Sequence, residues 1–407
     1  MRILIVWRDI PNPTYPVLAR PFYLAKYNED HELVLVSFMS YISKASIDTT
    51  HLSEYYNKVE LIKVPKFSNT ISKGIYSFIS RFTYQNVRFS KDFNVFGRIY
   101  LPAMQRKILD LLHSNQFDII YADYYMYSYL YYCKKHYPTI PIILEFFSPI
   151  LYSLYQVYSY NKALLQKLKF KLQYLSFKLF EVQRYSKFDG GIYVTETHRR
   201  YENPYLPKKT IVIPPGVDLE YYRLSSNVLE PNTLIFVGNM NYPVNVYAVL
   251  YFFKEIYPLI RTKIPNLKVY IVGRSPPNVI RKLAFKDKSI IVTGEVNDVR
   301  PYLSKAQVVI APIPIDDGGI KNKVLEGMAM GKAVVSTSFG ARDIGATHGR
   351  NIIIADDPKE FAESVITLLQ DDELRNKIGN NARRFVEKNY SWKKLTKKLE
   401  QFLESFI

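Results

Sequence analysis

The 407-residue chain has one cysteine, Cys133, only six histidines, and too few acids to balance its bases: 37 Asp and Glu against 55 Lys and Arg, a net charge of +18. A single cysteine excludes an internal disulfide and fits a reducing compartment. The histidines, His198 among them, have neither metal-ligand nor catalytic-triad spacing. No apolar run is long enough to span a bilayer; the nearest, IPIILEFFSPILYSLY from Ile140, is broken by Glu145 and Pro149. The opening MRILIVW runs into a strand-like segment without a signal-peptide layout, so the expected location is the cytoplasm, with any membrane met from the side. Short-period repeats are missing too.

The chain that remains is 48% hydrophobic, which argues against disorder, and is long enough for two domains of about 200 residues each. Short apolar runs alternate with helical patterns along its whole length, the mark of parallel α/β layers. In the first half RILIVW, ELVLVSF, VELIKV, FDIIYA, PIILEF, GGIYVT and TIVIP read as strands; in the second, TLIFVG, KVYIVG, SIIVTG, QVVIAP, AVVST and NIIIA. The polar stretch between the halves predicts an N-terminal Rossmann-like domain over 1–215, a linker over 216–232, a C-terminal Rossmann-like domain over 233–390, and a last helix over 391–407 packing back on the first domain. Two such domains would face each other across a cleft. In open parallel sheets ligands bind beyond the carboxyl ends of the strands, so the loops after these runs are where chemistry is sought.

One such loop stands out: QVVIAPIP, then DDGG, then the helical IKNKVLEGMAM. Glycines let backbone N–H groups approach an anion, and a helix N-terminus adds its dipole. Lys321 and Lys323 would oppose that dipole unless a strongly charged anion, such as a diphosphate, sits there. Glu326, three residues beyond Lys323, shares its face and suits a ribose diol; the plainer alternative is a solvated Lys323–Glu326 pair. The nearby GMAMGK lacks the spacing and the Ser/Thr of a P-loop, and its Gly331 reads instead as a helix C-cap.

The ordered series FVGNMNYPVNVYAV, VYIVGRSPP, VTGEVNDVRPYLSKAQVVIAPIPIDDGGIKNKVLEGMAMGKAVVST and YSW, with IPPGVDLEYY before it, resembles the retaining glycosyltransferases of family 4, which have the GT-B fold. The resemblance implies a hexosyltransferase-type enzyme that moves a sugar from a nucleotide-diphosphate sugar to a glycan or lipid-linked acceptor. The family's donor site has two glutamates eight residues apart: Glu326 matches the second, on the ribose, and the first falls on Gly318, leaving Asp316 or Asp317 to substitute. Gly319 and Ile320 match the amides near the donor phosphate, and the loop Gly294, Glu295, Val296 matches the border of the nucleobase. After Gly238, where the family carries an Arg and later a Lys on the diphosphate, this chain has Asn239 and Asn245. The cations then come from Lys321, Lys323 and Arg274, the last with surface charge as its alternative. The first loop lacks the family's glycines, although Arg20 is placed to face the cleft. Where the family presents a histidine, LEFFSP offers Glu145, either a functional substitute or, as favoured here, a strand-end residue bonded to backbone. There is no D-x-D, so no metal and no cofactor is implied.

The charge is concentrated in two runs of the first half. Lys63 to Lys107 holds nine basic residues against one acid, interleaved with aromatics, and Lys162 to Lys187 holds seven against one. The second places Leu165, Leu168, Leu172, Leu175, Leu179 and Val182 at helical spacing. It reads as a helix packed on its domain with a basic solvent side, or as one lying on anionic lipid, which would suit a peripheral enzyme at the inner membrane face. Nucleic-acid binding has no motif behind it. The enzymatic alternative is a nucleotide-sugar epimerase or hydrolase on the same fold, and the non-enzymatic one a binder of anionic lipid or nucleic acid.

Overall fold

The computed structural model describes residues 1–13, 16–39, 52–63, 102–147, 151–152, 155, 164–180, 182–202, 205–223, 229–316 and 318–407. They form two compact units: the first holds 1–193, 199–213 and 396–407, the second 194–198 and 214–395.

Each of the thirteen apolar runs is a strand, to within two residues at either end. The first unit has β1 Arg2–Trp7, β2 Glu32–Met39, β3 Lys58–Lys63, β4 Ile119–Asp123, β5 Ile142–Phe146, β6 Gly190–Tyr193 and β7 Lys209–Val212. They pair in the order β3-β2-β1-β4-β5-β6-β7, all parallel. The second unit has β8 Thr233–Val237, β9 Lys268–Val272, β10 Ile290–Gly294, β11 Val308–Ala311, β12 Ala333–Ser336 and β13 Ile353–Ile354, in the order β10-β9-β8-β11-β12-β13, again all parallel. The fold class is therefore α/β, of the GT-B type, with two Rossmann-like units.

Alternation within the strands explains why the runs are apolar throughout. Leu234, Phe236, Val308 and Ile310 enter one core together with Phe361 and Val365 of the helix Pro358–Gln370. Ile235, Val309 and Ala311, on the opposite face, enter another with Val324, Leu325 and Met328 of the helix Asn322–Ala329. A parallel sheet covered on both faces leaves no polar side, and fully burying each such aliphatic side chain contributes about 1.5–3 kcal/mol.

The final helix, Trp392–Glu404, starts in the second unit, where the Trp392 ring lies against Gly216. Its last residues belong to the first unit: Leu399 and Leu403 are buried, Phe406 covers Gly190, and Lys398 Nζ donates to the Val212 carbonyl at 3.1 Å.

One expectation is reversed. The helix Leu164–Phe180 does not pack through its leucines. Leu164, Leu165, Leu168, Leu172, Leu175 and Leu179 are exposed, while the half-buried Phe170 and Tyr174 lie on the opposite side. Tyr174 packs on the core of the first unit and its ring stands 6.3 Å from that of Tyr155. Val182 belongs to the short 3-10 helix Val182–Lys187 that follows. Of the other basic run, Lys63 to Lys107, only Lys63 and residues 102–107 fall among the described residues.

Candidate functional site

In the second unit the strand order reverses between β8 and β11, so the loops after these two strands diverge and leave a crevice at their carboxyl ends. Three neighbouring strands end on glycine. Gly238 N donates to Val272 O at 2.9 Å and Gly273 N to Gly294 O at 3.1 Å. A side chain at Gly273, which has φ +147°, would put its Cβ 1.9 Å from the Gly238 carbonyl oxygen. The edge is thus bare backbone. Arg274, half-buried, follows at the end of β9, with its carbonyl accepting from Met240 N at 3.0 Å. Beyond β10, Glu295 is exposed and Val296 half-buried against the core.

The loop after β11 reaches the same edge. Gly318 and Gly319 are consecutive left-handed residues, at φ +69° and +70°, a conformation that costs a side-chain-bearing residue of order 1 kcal/mol or more. The absence of a glutamate at 318 therefore has a backbone reason. Asp316 Oδ1 accepts from Gly318 N at 3.0 Å, and its other oxygen pairs with Arg342. Asp317 lies outside the described residues. Lys321 Nζ turns back to the carbonyls of Gly318 at 2.6 Å and Gly319 at 3.0 Å.

Lys321 is also the N-cap of the helix Asn322–Ala329, and its side chain offers no acceptor to the first-turn N–H groups. Lys323, in that first turn, donates to the Asn245 side-chain oxygen and holds its ammonium 4.3 Å from the centre of the Phe236 ring on β8. Asn245 in turn donates to the Asn239 carbonyl at 2.8 Å, so the two asparagines form the rest for this lysine. Glu326 is half-buried; burial raises its carboxyl above the usual range, against the lowering effects of a hydrogen bond with Tyr222 and of Lys323. The helix ends at Ala329 and Gly331 follows at φ +66°. Lys332 donates to the carbonyls of Ser304 and Ala306 at 2.7 and 2.9 Å, a structural use that keeps it out of any phosphate loop. Gly238, Asn239, Arg274, Gly318, Gly319, Ile320 and Lys321 on the loops, and Lys323 and Glu326 on the helix Asn322–Ala329, are thus gathered at one edge of the sheet.

Two further residues join them that the sequence reading did not place here. Tyr222, from the segment before β8, bonds Glu326, and its carbonyl accepts from Arg383. His198 stands beside the glycine loop, its Cε1 3.8 Å from where a Cβ on Gly319 would be. It is buried, its backbone N–H donates to Thr195 Oγ1 at 3.0 Å, and desolvation followed by the Lys321 charge pulls its imidazole down to about 4. The neighbouring Thr197 donates to Asp343 at 2.9 Å. No spacing signal could have found either residue, because both come from segments far away in the chain.

Glu145 belongs to the first unit. It is bonded not to backbone but to side chains: Arg20 Nε donates to it at 2.5 Å, Tyr121 donates to its other oxygen, and all three residues are buried. Arg20 also donates to the Ile213 carbonyl at 2.7 Å. A carboxylate in the middle of a covered sheet must find a cation, and Arg20 supplies it. Burial raises Glu145 while Arg20 and Tyr121 lower it. Arg20, expected to face a cleft, is committed to this pair. Among the described residues no group of three or more His, Cys, Asp or Glu is placed to hold a metal ion, and no helix is long and apolar enough to cross a membrane.

Residues 231–371 match the family model of the glycosyl transferases group 1. A 44.6 kDa protein of the cps region of Klebsiella pneumoniae is 23% identical over 243 residues, 58% of this chain and 61% of its own length. The phosphatidyl-myo-inositol mannosyltransferase of Mycolicibacterium smegmatis is 26% identical over 231 residues, 54% of this chain and 58% of its own. The chain thus spans about six-tenths of the length of these curated relatives. Among solved structures, Anabaena HepE in complex with UDP is similar in fold over 100% of both chains, with a TM-score of 0.64 at 15% identity. The match to the glycosyl transferases group 1 thus falls on residues 231–371, the segment that carries most of the gathered side chains.

Proposed function

We propose that the chain is a retaining glycosyltransferase of the hexosyl type that transfers a sugar from a nucleotide-diphosphate sugar to a glycan or lipid-linked acceptor at the inner membrane face. One observation carries the donor half of this reading: two left-handed glycines, a helix N-terminus without a side-chain cap, and two lysines share one loop at the carboxyl edge of the second sheet. As the sugar leaves, negative charge grows on the β-phosphate. Fixed N–H groups at Gly319 and Ile320 and the ammonium groups of Lys321 and Lys323 are the preorganised counter-charge for it, and no metal is needed. Both lysines rest on neutral oxygens in the free protein, bonds that a diphosphate outcompetes by charge.

In this reading Glu326, steadied by Tyr222, receives the ribose hydroxyls, and Gly238, Asn239 and Arg274 line the diphosphate. Glu295 and Val296 border the base. Sugar hydroxyls fall to Asp316 or Asp317, with His198 as a neutral neighbour. Glu145 serves as a buried structural charge instead of a reacting group. UDP in the HepE complex makes uridine donors the first to try.

The test is a screen of nucleotide sugars by thermal shift, followed by turnover measurements. A bound donor raises the melting temperature because it binds only the folded state. Lys323→Ala is expected to lower turnover by about 10²–10³-fold with the melting temperature of the free protein retained. Undiminished turnover in that variant would remove the phosphate assignment, and donor turnover that ignores every acceptor would assign hydrolysis or epimerisation instead.

A further inference from the structure

The most unusual surface of the molecule is the helix Leu164–Phe180, whose six leucines are between 40% and 83% exposed. On a helix of 3.6 residues per turn, Leu164, Leu165, Leu168, Leu172, Leu175 and Leu179 fall within about 100° of arc. Lys167, Lys171 and Lys178 line one border of that stripe and Lys169 the other, and the helix has no acid. Its far side is already used, with Phe170 and Tyr174 half-buried toward the first unit.

Two kinds of occupant suit a leucine stripe, another helix or a lipid surface. Leu165 through Leu179 do follow the alternating three-and-four spacing of a coiled-coil seam, but only for about two heptads, where three or four are needed. The flanks decide further. With Leu165 at position a, Lys169 takes position e and Lys171 and Lys178 take g, so a second copy lying in parallel would set lysine against lysine. A surface that is fluid, apolar below and anionic above matches both the stripe and its rims. We infer that the helix Leu164–Phe180 lies in the plane of an anionic membrane, with its leucines among the acyl chains and its lysines at the headgroups.

The inference deepens the transferase reading, and rests on it for its purpose: it brings the first unit to the surface where a lipid-linked acceptor resides. Its test uses no catalysis. The full chain is sedimented with vesicles of phosphatidylglycerol and phosphatidylcholine, and with vesicles of phosphatidylcholine alone. Binding is expected to the first, to weaken with salt, and to be slight for the second. Leu168→Glu with Leu172→Glu should reduce binding at least about tenfold, since apolar burial supplies the insertion. Lys167→Gln, Lys171→Gln and Lys178→Gln together should abolish the preference for the anionic lipid. Apart from Lys178, which is half-buried over the Tyr174 ring, these positions are exposed, so melting temperature and donor turnover in solution should stay at their wild-type values. Equal binding to both vesicle types, or wild-type binding by the leucine variant, overturns the inference. So does a wild-type dimer in light scattering that the leucine variant breaks, which gives the face to a second copy. Retained vesicle binding by a chain that binds no nucleotide sugar would leave the helix assignment standing and remove the transferase reading.

Discussion

His198 shows what a single residue contributes at this site. Its imidazole titrates near 4 in the folded protein against 6.5 for the free group, so between these values the unfolded chain holds more protons. Stability from this residue is complete above pH 6.5 and is lost as the pH falls toward 4, by up to about 3 kcal/mol. Thermal melts across this window should show a decline that His198→Gln flattens; an unchanged decline would mean that other groups produce it. The same residue marks the limit of sequence reading. Lys321, Lys323 and Glu326 stand within six residues of one another, and the mismatch between their charge and a helix start was visible in the sequence itself. His198 and Tyr222 reach the site from segments far from it, and nothing in their local sequence predicts whom they will meet. Glu145 and Arg20 are a third case: each could be named as a charge near a strand end, but their mutual pairing over 125 residues is a product of the topology.

At the level of elements, the strands were legible because a sheet covered on both faces demands unbroken apolar runs, and such runs bounded by glycine or proline have few other uses. The helix Leu164–Phe180 was legible as a helix but not in its orientation. Leucines at helical spacing normally mean a core-facing stripe, and only the placement of Tyr174 and Phe170 shows which side was taken. The glycine edge of the second sheet makes the next prediction. Gly273→Ala would force its Cβ into the Gly238 carbonyl at a backbone angle that side chains rarely adopt. The expected loss is about 3 kcal/mol or more in denaturant unfolding, with donor binding weakened as β8 and β9 separate at their ends. A variant as stable as the wild type would show that this edge yields easily.

For the molecule as a whole, the consequential feature is the path of the chain: residues 396–407 complete the first unit after the second has been built. Leu399 and Leu403 are fully buried and Phe402 nearly so. Ending the chain at Leu395 removes all three, a loss on the order of 5 kcal/mol that should appear as an early melting transition of the first unit. A truncated chain with an unaltered melting curve would make the tail an accessory. The same path governs how the protein is made. Domains commonly fold in order as they leave the ribosome, N-terminal first. Here the first unit waits for residues 396–407, so until these have emerged its sheet stands uncovered at Gly190 although every residue of the second unit has already been made.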